Sequence, residues 1–229
     1  MKKICSLSQV ASVVIAVLAL QLTTTAATFA ESAEPTAEAA ETGSPAATSA
    51  EKTIETFQAG LLDIMKHAEE LGMEGRIEKL APLMDKTFDL RFMASKSIGR
   101  PWRSLSDEEK GRWVDLFKRF TTANYACRFT GFKGEKFVTV GVEDAPRGTR
   151  VVMTKIIVPD DDDVALNYRM IERDGTWKVI DVFLNGTVSE LALRRSEYSS
   201  ALKRNGFASL VTLVEEKIED LKSKDLIEG

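Results

Sequence analysis

The side chains that could do covalent chemistry are few in this chain, and poorly spaced for it. Its 229 residues include one histidine, His67, and two cysteines, Cys5 and Cys127. A Ser-His-Asp triad or a histidine-bearing metal cage would have to be built around His67, which has no partners at ligand spacing. His67 falls on a predicted helix, where an exposed or capping role fits it better. No G-x-S-x-G, P-loop or G-x-G-x-x-G pattern occurs. Asp160 to Asp163 are four consecutive carboxylates. Neither EF-hand spacing nor its closing glutamate follows them, so they read as a solvated turn. Cys127, near Tyr125 and Phe129 at a predicted helix end, reads as a buried structural thiol. Asp181 remains, a carboxylate on an otherwise apolar strand. It could serve as a general base with a raised pKa. The blander reading, a hydrogen-bonded structural carboxylate, is favoured.

The strand that carries Asp181, Thr176 to Leu184, is itself unusual. Alternation puts Trp177, Val179 and Phe183 on one face and Ile180, Val182 and Leu184 on the other. A small antiparallel sheet normally shows water one of its faces. A strand apolar on both faces asks for packed helices on the second one, or for an apolar ligand.

The elements around it read as helices, then strands, then helices. Ile54, Phe57, Leu61, Ile64, Met65 and Ala68 form a helical stripe ending near Gly72, and Ile77, Leu80, Leu83 and Met84 form a second. A short helix follows, stopped by Gly99 and Pro101. Ser106 and Glu109 form a capping box opening a long helix with Trp113, Leu116, Phe117 and Phe120 on its apolar face. Four strands are expected over 136–142, 150–158, 164–172 and 176–184, joined by turn-forming segments too short for anything but antiparallel pairing. Thr187 and Glu190 suggest a second capping box, starting a helix that ends at Asn205-Gly206. A last stripe runs from Phe207 to Leu221. The fold class expected is α+β: a strongly curved four-stranded antiparallel sheet covered by helices, with an apolar pocket beneath them.

Composition bounds what such a domain could do. Lys2 and Lys3, an apolar run from Val10 to Leu22 and the small-residue site Thr28-Phe29-Ala30 predict a signal peptide over residues 1–30. The run is shorter than the ~20 residues a membrane span takes. Its loss removes two lysines and moves the formal charge from −4 to −6. A mildly acidic chain does not suit nucleic acid, which is bound by clustered Lys and Arg. Only Cys127 would remain, so the exported protein relies on its core, as suits a bacterial periplasm. Residues 31–50 contain no Val, Ile, Leu, Met or aromatic residue and read as a disordered linker. Residues 51–229 are then one domain.

A family resemblance emerges from Tyr168-Arg169-Met170, Gly175-x-Trp177-Lys178-Val179, Asp181-Val182, Asn185-Gly186 and Tyr198. Upstream it continues through Phe88-Asp89, Met93-Ala94, Gly99-Arg100-Pro101-Trp102 and Leu105-Ser106-x-Glu108. In order and spacing these motifs resemble the toluene-tolerance family, the periplasmic phospholipid-binding components of Mla-type lipid transport systems. The stretch around residues 163–198 is most similar to the branch associated with hopanoid biosynthesis. Ile180 replaces the aromatic usual in the phospholipid branch, and Asn185 replaces its glutamate. The resemblance implies a fold related to nuclear-transport-factor-2-like and cystatin-like domains. It implies a pocket that takes acyl chains and leaves the head group at the surface, with no cofactor beyond the bound lipid. The implied ligand is a phospholipid or a hopanoid-type lipid. The implied partners are an inner-membrane ABC transporter complex, with its substrate-binding membrane subunit, and an outer-membrane lipid donor or acceptor. Non-catalytic assembly of a membrane transport complex is the alternative role.

From the predicted elements, the pocket would take Ile180, Val182 and Leu184 from one strand face and Tyr168 and Met170 from the neighbouring strand. The covering helices would supply Leu83, Met84, Phe88, Phe117 and Phe120.

Overall fold

The N-terminal helices form where apolar residues recur at helical spacing, and their caps are those the sequence offers. The computed structural model describes residues 45–228, with side-chain surroundings for residues 50–223. The expected signal peptide and residues 31–44 of the expected linker lie outside the described residues. Helix α1 (Pro45–Lys66) begins inside the stretch read as linker. Its stripe of Ile54, Phe57, Leu61, Ile64 and Met65 is buried. Helix α2 (Ala68–Thr87) breaks at Gly72, whose φ of 57° suits a residue without Cβ. His67, exposed between the two, lies 2.9 Å through Nδ1 from the Asp63 carbonyl, a C-terminal capping contact. Helix α3 (Leu90–Ile98) starts where the Asp89 carboxylate accepts the Phe92 amide, and it stops at Gly99. Helix α4 (Asp107–Arg128) opens on the expected capping box, Ser106 with Glu109.

The sheet has five strands where four are expected, and it is open. β1 (Lys136–Ala145), β2 (Thr149–Ile157), β3 (Val164–Arg173) and β4 (Thr176–Leu184) form an antiparallel meander. β5 (Val188–Ser189) adds a two-residue edge against Phe183 and Leu184. A pair this short carries no periodicity, which is why sequence pattern passes over it. Helix α5 (Glu190–Glu228) follows, broken at Gly206 as the Asn205-Gly206 signal indicates. Its start corrects a second expectation. The cap is Ser189, whose Oγ accepts the Ala192 amide at 2.9 Å; Thr187 lies in the turn before β5.

Two strands carry an extra residue. Between β1 and β2 the register slips at Val140, and between β3 and β4 it slips at Ile180. A bulge bends its strand and raises the local twist. The slip at Ile180 also answers the puzzle of the doubly apolar strand. Before the bulge, Val179 pairs with Met170; after it, Val182 pairs with Tyr168 and Leu184 with Leu166. Trp177, Val179, Val182 and Leu184 therefore share one face, because the alternation changes phase midway along the strand. The expected grouping of Ile180 with Val182 and Leu184 is thereby corrected.

Below that face lies the core. Val152 and Ile156 of β2, Leu166, Tyr168 and Met170 of β3, and Trp177, Val179 and Val182 of β4 meet the buried stripes of all five helices in one apolar cluster.

Candidate functional site

Seven of the ten residues expected to line a pocket come together in this interior. Met84, Phe88, Phe117, Phe120, Tyr168, Met170 and Val182 are all buried in the cluster, and Leu83 and Leu184 pack against it from partly buried positions. Within the interior they divide into two groups. Beneath the sheet, the Phe57 ring packs edge-on against Phe88 at 5.2 Å and against Tyr125 at 5.9 Å. It also reaches Tyr168 at 6.3 Å. Between α4 and α5, Tyr198 packs edge-on against Trp113 at 5.3 Å and Phe120 at 6.4 Å. Phe117 and Phe120 line a cavity of about 20 Å³ there, with Met93, Asn124 and Glu190. Leu83 lies further out, over Gly60, where an added Cβ would sit 2.7 Å from a Leu83 methyl carbon.

The tenth residue, Ile180, lies outside the cluster. It is buried in a groove of about 570 Å³ between the far side of the sheet, α3 and the start of α5.

Five of the chain's seven methionines, Met65, Met73, Met84, Met93 and Met170, are buried here. Unbranched thioether side chains can change rotamer to follow a new shape more readily than branched ones. The interior is therefore apolar, aromatic and deformable. Among its few polar groups, Gln58 Nε2 donates to Thr154 Oγ1 at 3.1 Å. The Tyr198 hydroxyl is buried without a hydrogen-bond partner, and burial raises its pKa well above the usual tyrosine value.

Asp181 is held by three hydrogen bonds. Oδ1 accepts the Val182 amide at 2.8 Å and the Leu191 amide at 3.1 Å, and Oδ2 accepts the Ser189 hydroxyl at 2.6 Å. The carboxylate thus satisfies an amide freed by the bulge and an orphan amide at the start of α5. Burial raises its pKa against the lowering effect of these three donors. Beside it, Glu190 is tied to Asn124, Arg128 and Arg194. Asp160 to Asp163 are exposed, as a solvated turn should be. Among the described residues, no group of three or more His, Cys, Asp or Glu side chains is placed to hold a metal ion. Nor is any described helix long and apolar enough to cross a membrane.

Sequence reasoning missed Phe57 and Tyr125 as members of the aromatic group, although Phe57 stood in the first helical stripe. Periodicity reports burial, and only the fold reports which buried rings meet.

Residues 55–216 match the family model described as the MlaC protein. The chain matches none of the curated proteins. Among solved structures it is similar to a phospholipid-binding protein from Ralstonia solanacearum in complex with a phospholipid. Identity is 22% and the TM-score 0.65, over 75% of this chain and 98% of that one. At that identity the likeness establishes a shared fold.

Proposed function

From the premise that the chain belongs to the MlaC family, we propose that it is a periplasmic lipid carrier. It takes a phospholipid or a hopanoid-type lipid, buries the acyl chains between the sheet and its covering helices, and shuttles it between inner and outer membranes. Its partners are an inner-membrane ABC transporter complex with its substrate-binding membrane subunit and an outer-membrane donor or acceptor. The family match over residues 55–216 carries the proposal. The aromatic and methionine-rich interior supports it, as does the likeness in fold to a protein that holds a phospholipid.

The physical demand is clear. A two-chain lipid has about 30 chain carbons, and at ~0.8 kcal/mol per buried CH₂ its free passage through water costs more than ~20 kcal/mol. A carrier removes that barrier by keeping the chains covered, without making or breaking a bond. Holding a lipid requires side chains packed in this interior to move aside. In this reading Met84 and Met170 turn aside, and Phe88, Tyr168 and Val182 become the lining. Asp181, with both oxygens engaged, is not a base in it.

Transfer of a fluorescent phospholipid between donor and acceptor vesicles tests the proposal. The protein should accelerate transfer in proportion to its concentration. Transfer no faster than in buffer overturns the carrier role.

A further inference from the structure

The groove that buries Ile180 lies apart from the interior, and its lining has an amphiphilic character of its own. Phe92, Ile171, Ile180 and Leu191 supply apolar surface. Lys96, Arg147, Arg169 and Arg195 supply four cations from four separate elements, against the single carboxylate of Asp181. That carboxylate already receives three hydrogen bonds. Among the described residues, none of the four cations makes a salt bridge, whereas nearby Arg150, Arg173 and Arg194 each do. In a chain of net negative charge, four unneutralised cations around one concavity create a local positive field.

One of these arginines is held in place from behind. Arg169 donates through Nε to Thr149 Oγ1 at 3.0 Å and through Nη2 to the Pro146 carbonyl at 3.2 Å. Arg195 lies against Gly99, where an added Cβ would come 3.0 Å from its Nε. It thus sits at the C-terminal end of α3, where the helix dipole favours a cation. Arg147, at the β1–β2 turn, has a φ of 66°, an uncommon conformation for a residue with Cβ. A guanidinium held as that of Arg169 is loses less freedom on meeting an anion, and guanidinium groups match phosphate oxygens in fork geometry.

We propose that this groove is a binding site for the phosphate of an anionic amphiphile, with its cations on the phosphate and its apolar surface under the adjoining glycerol and first chain carbons. Identifying the amphiphile as a phospholipid rests on the carrier reading above; the anion site itself rests on the groove.

The test is calorimetric titration of the full chain with dihexanoyl-phosphatidic acid, dihexanoylglycerol as its neutral twin, and inorganic phosphate. Replacing Arg169 and Arg195 together by Gln should weaken phosphatidic acid binding by about tenfold or more, leaving dihexanoylglycerol binding unchanged. Added salt should weaken the unaltered protein's binding in the same direction. Inorganic phosphate binding that is lost in the same variant keeps the site and names free phosphate as a sufficient occupant. Phosphatidic acid binding that is absent, or equal in the variant and the unaltered chain, overturns the proposal. Should the double variant fail to fold, Lys96→Gln with Arg147→Gln, both at exposed positions, makes the same comparison. Vesicle transfer reads the carrier role separately: its failure with arginine-dependent anion binding intact removes the carrier and leaves the site.

Discussion

Asp181 is a carboxylate set beside a β-bulge in an otherwise apolar strand. A carboxylate on an apolar strand is what a catalytic base looks like, and also what a β-bulge next to a helix start requires. Three donors converge on it, so it works as a fastening between β4 and α5. Its raised pKa has a consequence for stability. The folded state holds the proton to higher pH than the unfolded chain, whose aspartates titrate near ~3.9. The stabilisation due to protonated Asp181 is therefore complete below that value and is lost as pH rises through the folded pKa. Denaturant unfolding of the unaltered chain and Asp181→Asn, repeated from acid to neutral pH, should show the unaltered chain losing ground to the variant as pH rises. A difference that stays level or moves the other way contradicts the assignment. Because Asn keeps an oxygen for the two amides, the variant is expected to fold.

Among the elements, β4 shows what was legible in sequence and what was not. Its bounds, Thr176–Leu184, are those read from the residues. Its two apolar sets are visible too, but strict alternation along the whole strand makes them two faces. A period of two that changes phase is the trace a bulge leaves, and Ile180 next to Asp181 marks the place. Helix starts divide in the same way. Ser106 with Glu109 was legible as a capping box and is one; Thr187 with Glu190 has the same spacing and is not. The hydroxyl of Ser189 lies nearer the first turn, and Glu190 instead turns toward Arg128 and Arg194. Ser189→Ala should then cost about 1–2 kcal/mol, through the lost cap and the lost contact with Asp181. Thr187→Ala should stay within about 0.5 kcal/mol. Chemical denaturation of the two variants checks the pair, and the reverse order would restore the cap to Thr187.

At the scale of the whole molecule, the order of helices and strands followed from periodicity and turn chemistry. The partition of apolar residues between interior and groove did not. Ile180 and Val182 are alike in type and only two apart, yet a single inserted residue sends them to different sides of the sheet. The four groove cations are scattered from residue 96 to residue 195, a gathering no linear pattern announces. The interior itself gives a prediction. Val182 is buried opposite Tyr168, so Val182→Trp adds bulk where the carrier reading places acyl chains. It should cost about 1–3 kcal/mol of stability and abolish vesicle-to-vesicle transfer in protein that remains folded by circular dichroism. Folded Val182→Trp protein that transfers lipid at the unaltered rate moves the chains away from this face.

The central claim is that this interior opens to hold a lipid. Native mass spectrometry of the protein after incubation with phospholipid vesicles, followed by its separation from them, tests it most directly. The account predicts a species heavier than the bare chain by the mass of a bound lipid, whose head group and chains fragmentation then identifies. Protein that emerges at the bare mass alone, while still folded, contradicts it.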